Sequence, residues 1–392
     1  MWGRRVVAAL QPHQASLCTN TAHPMRCCTR MASQRQKIQQ KVRRHNKGVA
    51  SGSWHAVTLC RGGLVLAGCR LPARASLDEP APPSSLHAAA LDVLHEPDPF
   101  AKATMTAAYH RQWFAGDIPA TWAPGDDTDG RAPPDRPGRS DLVRIVDPAD
   151  VPRRRKGLND ASARAVLLHS LCHIESWAVD LSWDAIARFG AREDMPRGFF
   201  DDFCRMAADE ARHFLLLVEA LERNGAVYGD YPAHDGLWDN AMDTKDDLLL
   251  RLAVEHAVHE ARGLDVLPGA IRRFRKVPGA EGVTCADMLE GVIYPEEITH
   301  CAAGVRWFRY LHRRRGYEDA GETLEEADEE TACQSTFHDI VRKHFHGLLK
   351  PPFNHVARAE AGMPQDWYLP VASKGRPTQR TKTGFANGEQ RC

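Results

Sequence analysis

The chain has 392 residues, 43% of them hydrophobic and 26% charged, with 51 basic side chains against 51 acidic ones. A formal net charge of zero gives no whole-protein argument for a nucleic-acid or membrane partner. The longest apolar candidate, residues 165–189, is broken by His169, His173, Glu175, Asp180 and Asp184, and no run reaches the ~20 apolar residues a bilayer crossing needs.

The first acidic residue is Asp78. Before it, basic residues such as Arg4, Arg5, Arg26, Arg30, Arg35 and Lys37 recur in an acid-free, Ser-containing stretch, the composition of an organellar transit peptide. On that reading a mitochondrial or other organellar location is expected. A poorly ordered basic tail fits the same residues, as does an over-extended start of a cytoplasmic protein with Met25 or Met31 as initiator. Residues 1–77 therefore stay outside the fold argument. The eleven cysteines are odd in number and include no CxxC pair. Small buried thiols in a reducing compartment are expected, with Cys172, Cys204, Cys285 and Cys301 inside predicted helices.

A helical and loop-rich extension is predicted over 78–157. It opens with the stiff linker 78–83, continues with a short helix around Ser85–Leu94, and has a loop at 115–140, where Pro133, Pro134 and Pro137 forbid a regular helix. Four long helical periodicities fill 158–315. The first runs from about Asp160 to Phe189 and stops at Gly190; the second runs from about Gly198 to Arg223 and stops at Asn224-Gly225. The third spans about Lys245–Leu267 and is interrupted by Pro268-Gly269. The fourth spans about Cys285–Arg314 and stops before Gly316. A fifth helix near Thr323–His344 and a capping tail complete 316–365, and 366–392 reads as a disordered tail. The class is all-α.

Two of the four long segments contain Glu-x-x-His: Glu210-Ala-Arg-His213 and Glu297-Ile-Thr-His300. At i, i+3 both side chains leave the same helix face and can reach one ion. The other two segments carry Glu175 and Glu260 at comparable depth. Glu175 and Glu210 lie 35 residues apart with their midpoint in the break at 190–196; Glu260 and Glu297 lie 37 apart with their midpoint at Pro278-Gly279. Residues equidistant from an antiparallel turn sit at the same height. All four glutamates fall on apolar stripes, where an uncompensated carboxylate costs several kcal/mol. Two divalent cations would balance four negative charges. One Glu from each of two helices and Glu-x-x-His from each of the other two is the ligand set of ferritin-like carboxylate proteins. Residues 224–244 supply the single long crossover such a bundle needs. The expected fold is thus a ferritin-like four-helix bundle with N- and C-terminal extensions. The expected metal ligands are Glu175, Glu210, His213, Glu260, Glu297 and His300. His256 and Tyr294, near Glu260 and Glu297, are candidates to orient a ligand through a hydrogen bond. His169, His173, Glu255, Glu296 and His259 fall off the inward face, and His234 reads as loop packing.

Several stretches in order resemble the uncharacterised ferritin-like family catalogued as domain of unknown function 455. They are Leu167-Leu-His-Ser-Leu-Cys-His-Ile-Glu175, Ala208-Asp-Glu-Ala-Arg-His-Phe214 and Tyr228-Gly-Asp-Tyr-Pro-Ala-His234. They continue with Glu260-Ala-Arg-Gly-Leu-Asp265, Glu296-Glu-Ile-Thr-His300 and Pro352-Phe-Asn-His-Val-Ala-Arg358, covering roughly 136–362. The resemblance implies the bundle and the dimetal ligands at those positions; it implies no reaction. More distantly the arrangement is similar to bacterial tRNA hydroxylases.

A Glu/His donor set suits iron, or manganese, or a mixed Mn/Fe pair. The leading functional expectation is an oxygen-dependent oxidoreductase with dioxygen, an electron donor and a small-molecule or RNA substrate. The alternatives are iron handling without a substrate, as a large oligomer, and a binding module that keeps the metal as a staple. The basic runs Arg272–Lys276 and Arg313–Arg315 could meet phosphate, but read more simply as solvated helix ends.

Overall fold

The computed structural model describes residues 79–372, apart from 125, 127–130, 153–156 and 321–325. The expectations for residues 1–77 lie outside it. Among the described residues there is no strand, only one bridge between Ile145 and Ala233, and the fold is all-α. No described helix is long and apolar enough to cross a membrane.

Helix α1 (Leu86–His95) starts where the Ser85 hydroxyl accepts from the Ala88 N–H. Helix α2 (Pro99–Ala115) went unrecognised in the sequence, although its signals are ordinary. Asp98 caps it, Pro99 takes the first position, and Gly116 ends it at φ 87°. Both pack on the next two helices, α1 on residues 161–189 and α2 on residues 197–223.

Helices α3 (Ala161–Phe189) and α4 (Arg197–Arg223) form the first antiparallel hairpin. Asp160 caps α3 by accepting from the Ser162 N–H. The connection to the second hairpin runs from Asn224 to Asp247 and contains the short helix α5 (Gly236–Met242). The third long segment is a continuous rod made of α6 (Leu248–Ala253), a π-helical stretch (Val254–His259) and α7 (Glu260–Phe274). The fourth is built the same way from α8 (Ala280–Met288), a π stretch (Leu289–Ile293) and α9 (Tyr294–Ala320). Helix α9 packs on α6 and α7 within its own hairpin and on α4 of the other. The approach of these rods is close. A Cβ on Gly304 of α9 would lie 1.8 Å from the His256 carbonyl oxygen, so only glycine fits.

The third segment does not stop at Pro268, as the sequence had suggested; α7 continues to Phe274. A mid-helix proline leaves the carbonyl four residues earlier without its donor. Here that carbonyl belongs to Leu264, and the side-chain amide of Asn354 donates to it at 3.1 Å. The tail is held in place by Asp265, which accepts from the Asn354 N–H and pairs with the buried Arg358. The Pro352–Arg358 motif is therefore a patch on the proline kink. Asn354→Ala should lower stability by about 1–3 kcal/mol through the exposed carbonyl. Denaturant melts would check this, and an unchanged midpoint would refute the patch.

Helix α10 (Glu326–His344) and the short helices α11 (His355–Glu360) and α12 (Gln365–Tyr368) cover one side of α9. Ordered chain runs past 366, the expected start of disorder. Trp367 is fully buried, with its ring against Phe308 and Phe337, and anchors the segment as far as Ala372. Cys172, Cys204, Cys285, Cys301 and Cys333 are buried free thiols.

Candidate metal centre

Glu175 comes from α3, Glu210 and His213 from α4, Glu260 from the start of α7, and Glu297 and His300 from α9. Their side chains meet at one level between the hairpins. They form two groups of four. Glu175, Glu210, His213 and Glu297 make one; Glu210, Glu260, Glu297 and His300 make the other, and within each group the donor atoms lie within 4.8 Å of one another. Each group has one glutamate and one histidine of its own. Glu210 and Glu297 are shared. Five of the six residues are at most 6% exposed, and Glu260 is half-buried.

The histidines are oriented by their outer nitrogens. His213 Nε2 lies 2.7 Å from the Glu296 carboxylate, leaving Nδ1 3.1 Å from Glu210 and 3.7 Å from Glu297. His300 Nε2 lies 3.5 Å from Asp209, and its Nδ1 is 3.0 Å from Glu210 Oε1. That His300 Nδ1 is buried and, despite its distance from Glu210, lacks a hydrogen bond of acceptable geometry. An imidazole donating through Nε2 to a carboxylate presents the Nδ1 lone pair to whatever sits among the glutamates. Arg212 pairs with both Asp209 and Glu296, at 2.9 and 2.5 Å, and fixes these two outer carboxylates together.

Asp209 and Glu296 were missed in the sequence. Each immediately precedes a Glu-x-x-His, and each reaches across to the histidine of the opposite hairpin. The signal was there as the repeated pattern of an acid before Glu-x-x-His. Glu296 was expected to be off the inward face, and it does lie outside both groups of four. His169 and His173 face away as expected, His169 Nε2 accepting from the Gly229 N–H and His173 Nδ1 meeting the Tyr228 hydroxyl. The exposed His234 accepts from the Gly236 N–H, a loop contact. Tyr294 and His256 have surroundings other than those expected. The Tyr294 hydroxyl accepts from Asn354 at 2.7 Å. His256 is buried edge-on against Phe203 with neither ring nitrogen hydrogen-bonded. It lies in the π stretch, whose wider turn takes it off the i, i+4 line to Glu260. Glu255 is buried by the same shift, and loss of solvent pushes its carboxyl up to about 8.

The charges are unbalanced without cations. Burial, and then the Glu210 and Glu297 carboxylates, hold Glu175 well above the ordinary range. Burial and the Glu297 and Glu210 carboxylates do the same to Glu260, and Glu297 is pushed up to about 8 by burial and then by Glu210. Burial also works against ionising Glu210, but His300 and His213 outweigh it and hold that carboxyl well below the usual range. Burial opposes charge on His300, yet Glu210 and Asp209 raise it well above an ordinary imidazole. Protons thus occupy the place of positive charge. The residues suit two hard or borderline divalent ions with four oxygen and two nitrogen donors. A further feature gives room: Gly263, one turn past Glu260, faces Glu297, and a Cβ there would be 3.3 Å from Glu297 Oε2.

A family model described as "Protein of unknown function (DUF455)" matches residues 95–369, which include all six side chains. The chain belongs to the DUF455 family. A curated relative of this DUF455 chain, an "Uncharacterized protein" of Haemophilus influenzae, is 33% identical over 234 residues, covering 58% of this chain and 74% of that protein. No solved structure matches.

Proposed function

We propose that this DUF455 chain is a ferritin-like dimetal carboxylate protein, binding two iron ions, or manganese or a mixed pair, and using dioxygen to oxidise a substrate. The observation that supports it above any other is the pair of four-residue groups sharing Glu210 and Glu297. Four carboxylates of unrelated structural purpose would each bring a separate basic partner. Arg212 is engaged by Asp209 and Glu296, and Arg262 by the Leu348 carbonyl, so neither neutralises the cluster. The two hairpins joined by the 224–247 crossover support the ferritin-like arrangement. In this reading Glu210 and Glu297 would contribute to holding both ions, Glu175 with His213 would complete the donors for one, and Glu260 with His300 those for the other. Reduced ions of this kind supply electrons to dioxygen. The chain's own part is to hold the ions at fixed spacing, keep bulk water away, and tune the imidazoles through Asp209 and Glu296.

A groove of ≈370 Å³ favours substrate chemistry over a sealed structural staple. It runs between α4 and α9, with Met206, Ile298, Ala302 and Ala303 on its walls, and it reaches Asp209 and His300. That volume is in the range of small-molecule sites, roughly 300–1,000 Å³. Substrates as large as RNA receive no support from the basic runs. Arg275 pairs with Asp287 and Glu290, Arg315 with Asp247 and Glu193.

The test is metal analysis and oxygen uptake. Protein loaded anaerobically with ferrous iron should hold about two ions per chain, as expected of a dinuclear Glu/His site. On exposure to air it should consume oxygen and develop the spectroscopic signature of a coupled ferric pair. Stoichiometric zinc with no iron retention and no oxygen uptake would sink the oxidoreductase reading. A large hollow assembly accumulating many irons per chain would move it to iron handling.

A further inference from the structure

The motif Tyr228-Gly-Asp-Tyr-Pro-Ala-His-Asp235 takes no part in the metal centre, yet it helps enclose a second, separate cavity. Gly229, at φ 113°, lets the loop press on 142–145, where a Cβ would be 2.6 Å from the Leu142 carbonyl oxygen. Backbone bonds from Val146 to Ala233 and from Ala233 to Arg144 tie the two segments together. Between them, Pro97–Pro99 and the outer face of α3 lies a cavity of ≈40 Å³. It sits behind the helix whose inner face carries Glu175.

Its floor is polar and cationic. The Arg139 guanidinium lies 3.5 Å from the centre of the Trp177 ring, and that of Arg136 lies 5.3 Å from it. Trp177 is itself stacked on Trp238, so the platform is rigid. Tyr228, hydrogen-bonded to His173, and Asp235 complete the floor. Asp235 accepts from Arg136 and from the Trp177 indole N–H. Asp180, fully buried, is shared by Arg139 and Lys102. Counting the permanent charges gives three cations (Lys102, Arg136, Arg139) against two carboxylates (Asp180, Asp235). Glu96 acts on Lys102 only weakly, from a half-buried position. One buried guanidinium N–H, Arg139 Nε, has no partner. The Arg136 side chain is half exposed, so the excess positive charge can be reached by an anion from solvent.

The rim is apolar. Leu142 and Ile145 are 36% and 47% exposed, large for aliphatic side chains, and they stand at the mouth with Val143 and the two prolines. We propose that this cavity is a binding site for a short-chain monocarboxylate, its head on Arg136 and Arg139 and its tail against Leu142, Val143 and Ile145. A cavity of this size holds about three to four water-sized volumes, at ~10–15 Å³ each, which matches a carboxylate head with the chain leading out. Guanidinium groups suit a planar carboxylate, and the aliphatic rim separates that ligand from an inorganic oxyanion.

The site is independent of the metal reading, and its test keeps the two apart. Butyrate, acetate and nitrate are titrated calorimetrically into the full chain at low salt, with metal content measured on the same sample. Butyrate should bind more tightly than acetate, and nitrate least. Arg136→Gln should weaken butyrate by about tenfold or more through the lost charge-assisted contact. Ile145→Glu changes an exposed rim residue, so the fold is kept, and its charge at the mouth should weaken both carboxylates about tenfold. Metal content should be the same in all three proteins. No carboxylate binding, nitrate binding as well as butyrate, or wild-type affinity in both variants would overturn the proposal.

Discussion

Replacing Glu210 or Glu297 with alanine is expected to empty both metal positions, whereas replacing Glu175 or Glu260 should empty one. The distinction follows from membership: Glu210 and Glu297 belong to both groups of four, and the other two glutamates to one each. Loss of a shared carboxylate removes a donor from both positions and also the anion that lies between two like-charged ions. Loss of a private one leaves the opposite position with its full set. Glu210 has a second role in the metal-free protein, as the negative group within 3.1 Å of both His213 and His300, whose rings are 5.8 Å apart. Glu210→Ala therefore exposes two imidazoles to each other and should lower their basicity as well. Metal analysis after anaerobic iron loading should fall from about two ions per chain to almost none for Glu210→Ala and Glu297→Ala. For Glu175→Ala and Glu260→Ala it should fall to about one. The isosteric Glu210→Gln and Glu297→Gln should behave like the alanines while retaining the helical circular dichroism, which separates lost ligands from lost fold. Equal stoichiometry in all four alanine variants would refute the shared arrangement. So would full occupancy with Glu210→Ala.

The six convergent residues were legible because they break a rule that is otherwise kept. A glutamate on an apolar helix stripe is conspicuous, and four of them equidistant from two turns fix a common height without any knowledge of packing. The hairpins themselves were legible through their stops at Gly190 and Asn224-Gly225. What escaped was non-local or depended on hydrogen-bond register. Pro268 read as an interruption because its repair comes from Asn354, some 90 residues away. Asp209 and Glu296 act across the hairpins, and a helical wheel of one segment cannot show that. The π stretch at Val254–His259 shifts the facing of Glu255 and His256 relative to Glu260, and a second π stretch lies at Leu289–Ile293 ahead of Glu297. Pro295, which has no N–H to give, comes two residues after the end of the second stretch and marks it in hindsight. Both stretches lie just ahead of a glutamate of the buried cluster in the second hairpin, and π turns are frequent at functional sites. The first hairpin has no such stretch, so the pseudo-symmetry seen in the ligand spacing is not carried through to the backbone.

Metal binding should become stronger as pH rises, and the metal-free protein should become less stable over the same range. Burial and neighbouring carboxylates raise Glu175 and Glu260 well above the ordinary glutamate value of 4.5, and raise Glu297 to about 8. A group with a raised folded value contributes stability that is complete below its unfolded value and is lost as pH rises through the folded one. For Glu297 that window is about pH 4.5 to 8. His213 and His300 are also raised, from 6.5, so their contribution is lost in the same direction. Glu210 is depressed, and its contribution is lost only as pH falls below the usual carboxylate range. Each extra proton held by the folded state makes stability fall by ~1.4 kcal/mol per pH unit within its window. Two divalent ions would replace these protons, because the Glu175, Glu260 and Glu297 carboxyls and both imidazolium rings must give up protons to coordinate, Glu210 being already ionised. Chelator-treated protein should therefore melt progressively lower between pH 5 and 8, at roughly the slope of one to several protons. Iron-loaded protein should lose this slope, and the gap between the two melting curves should widen with pH. Titration in two buffers of different ionisation enthalpy should show net proton release on metal uptake. A gap that is constant with pH, or proton uptake on binding, would mean that the ions do not displace protons from these glutamates and histidines.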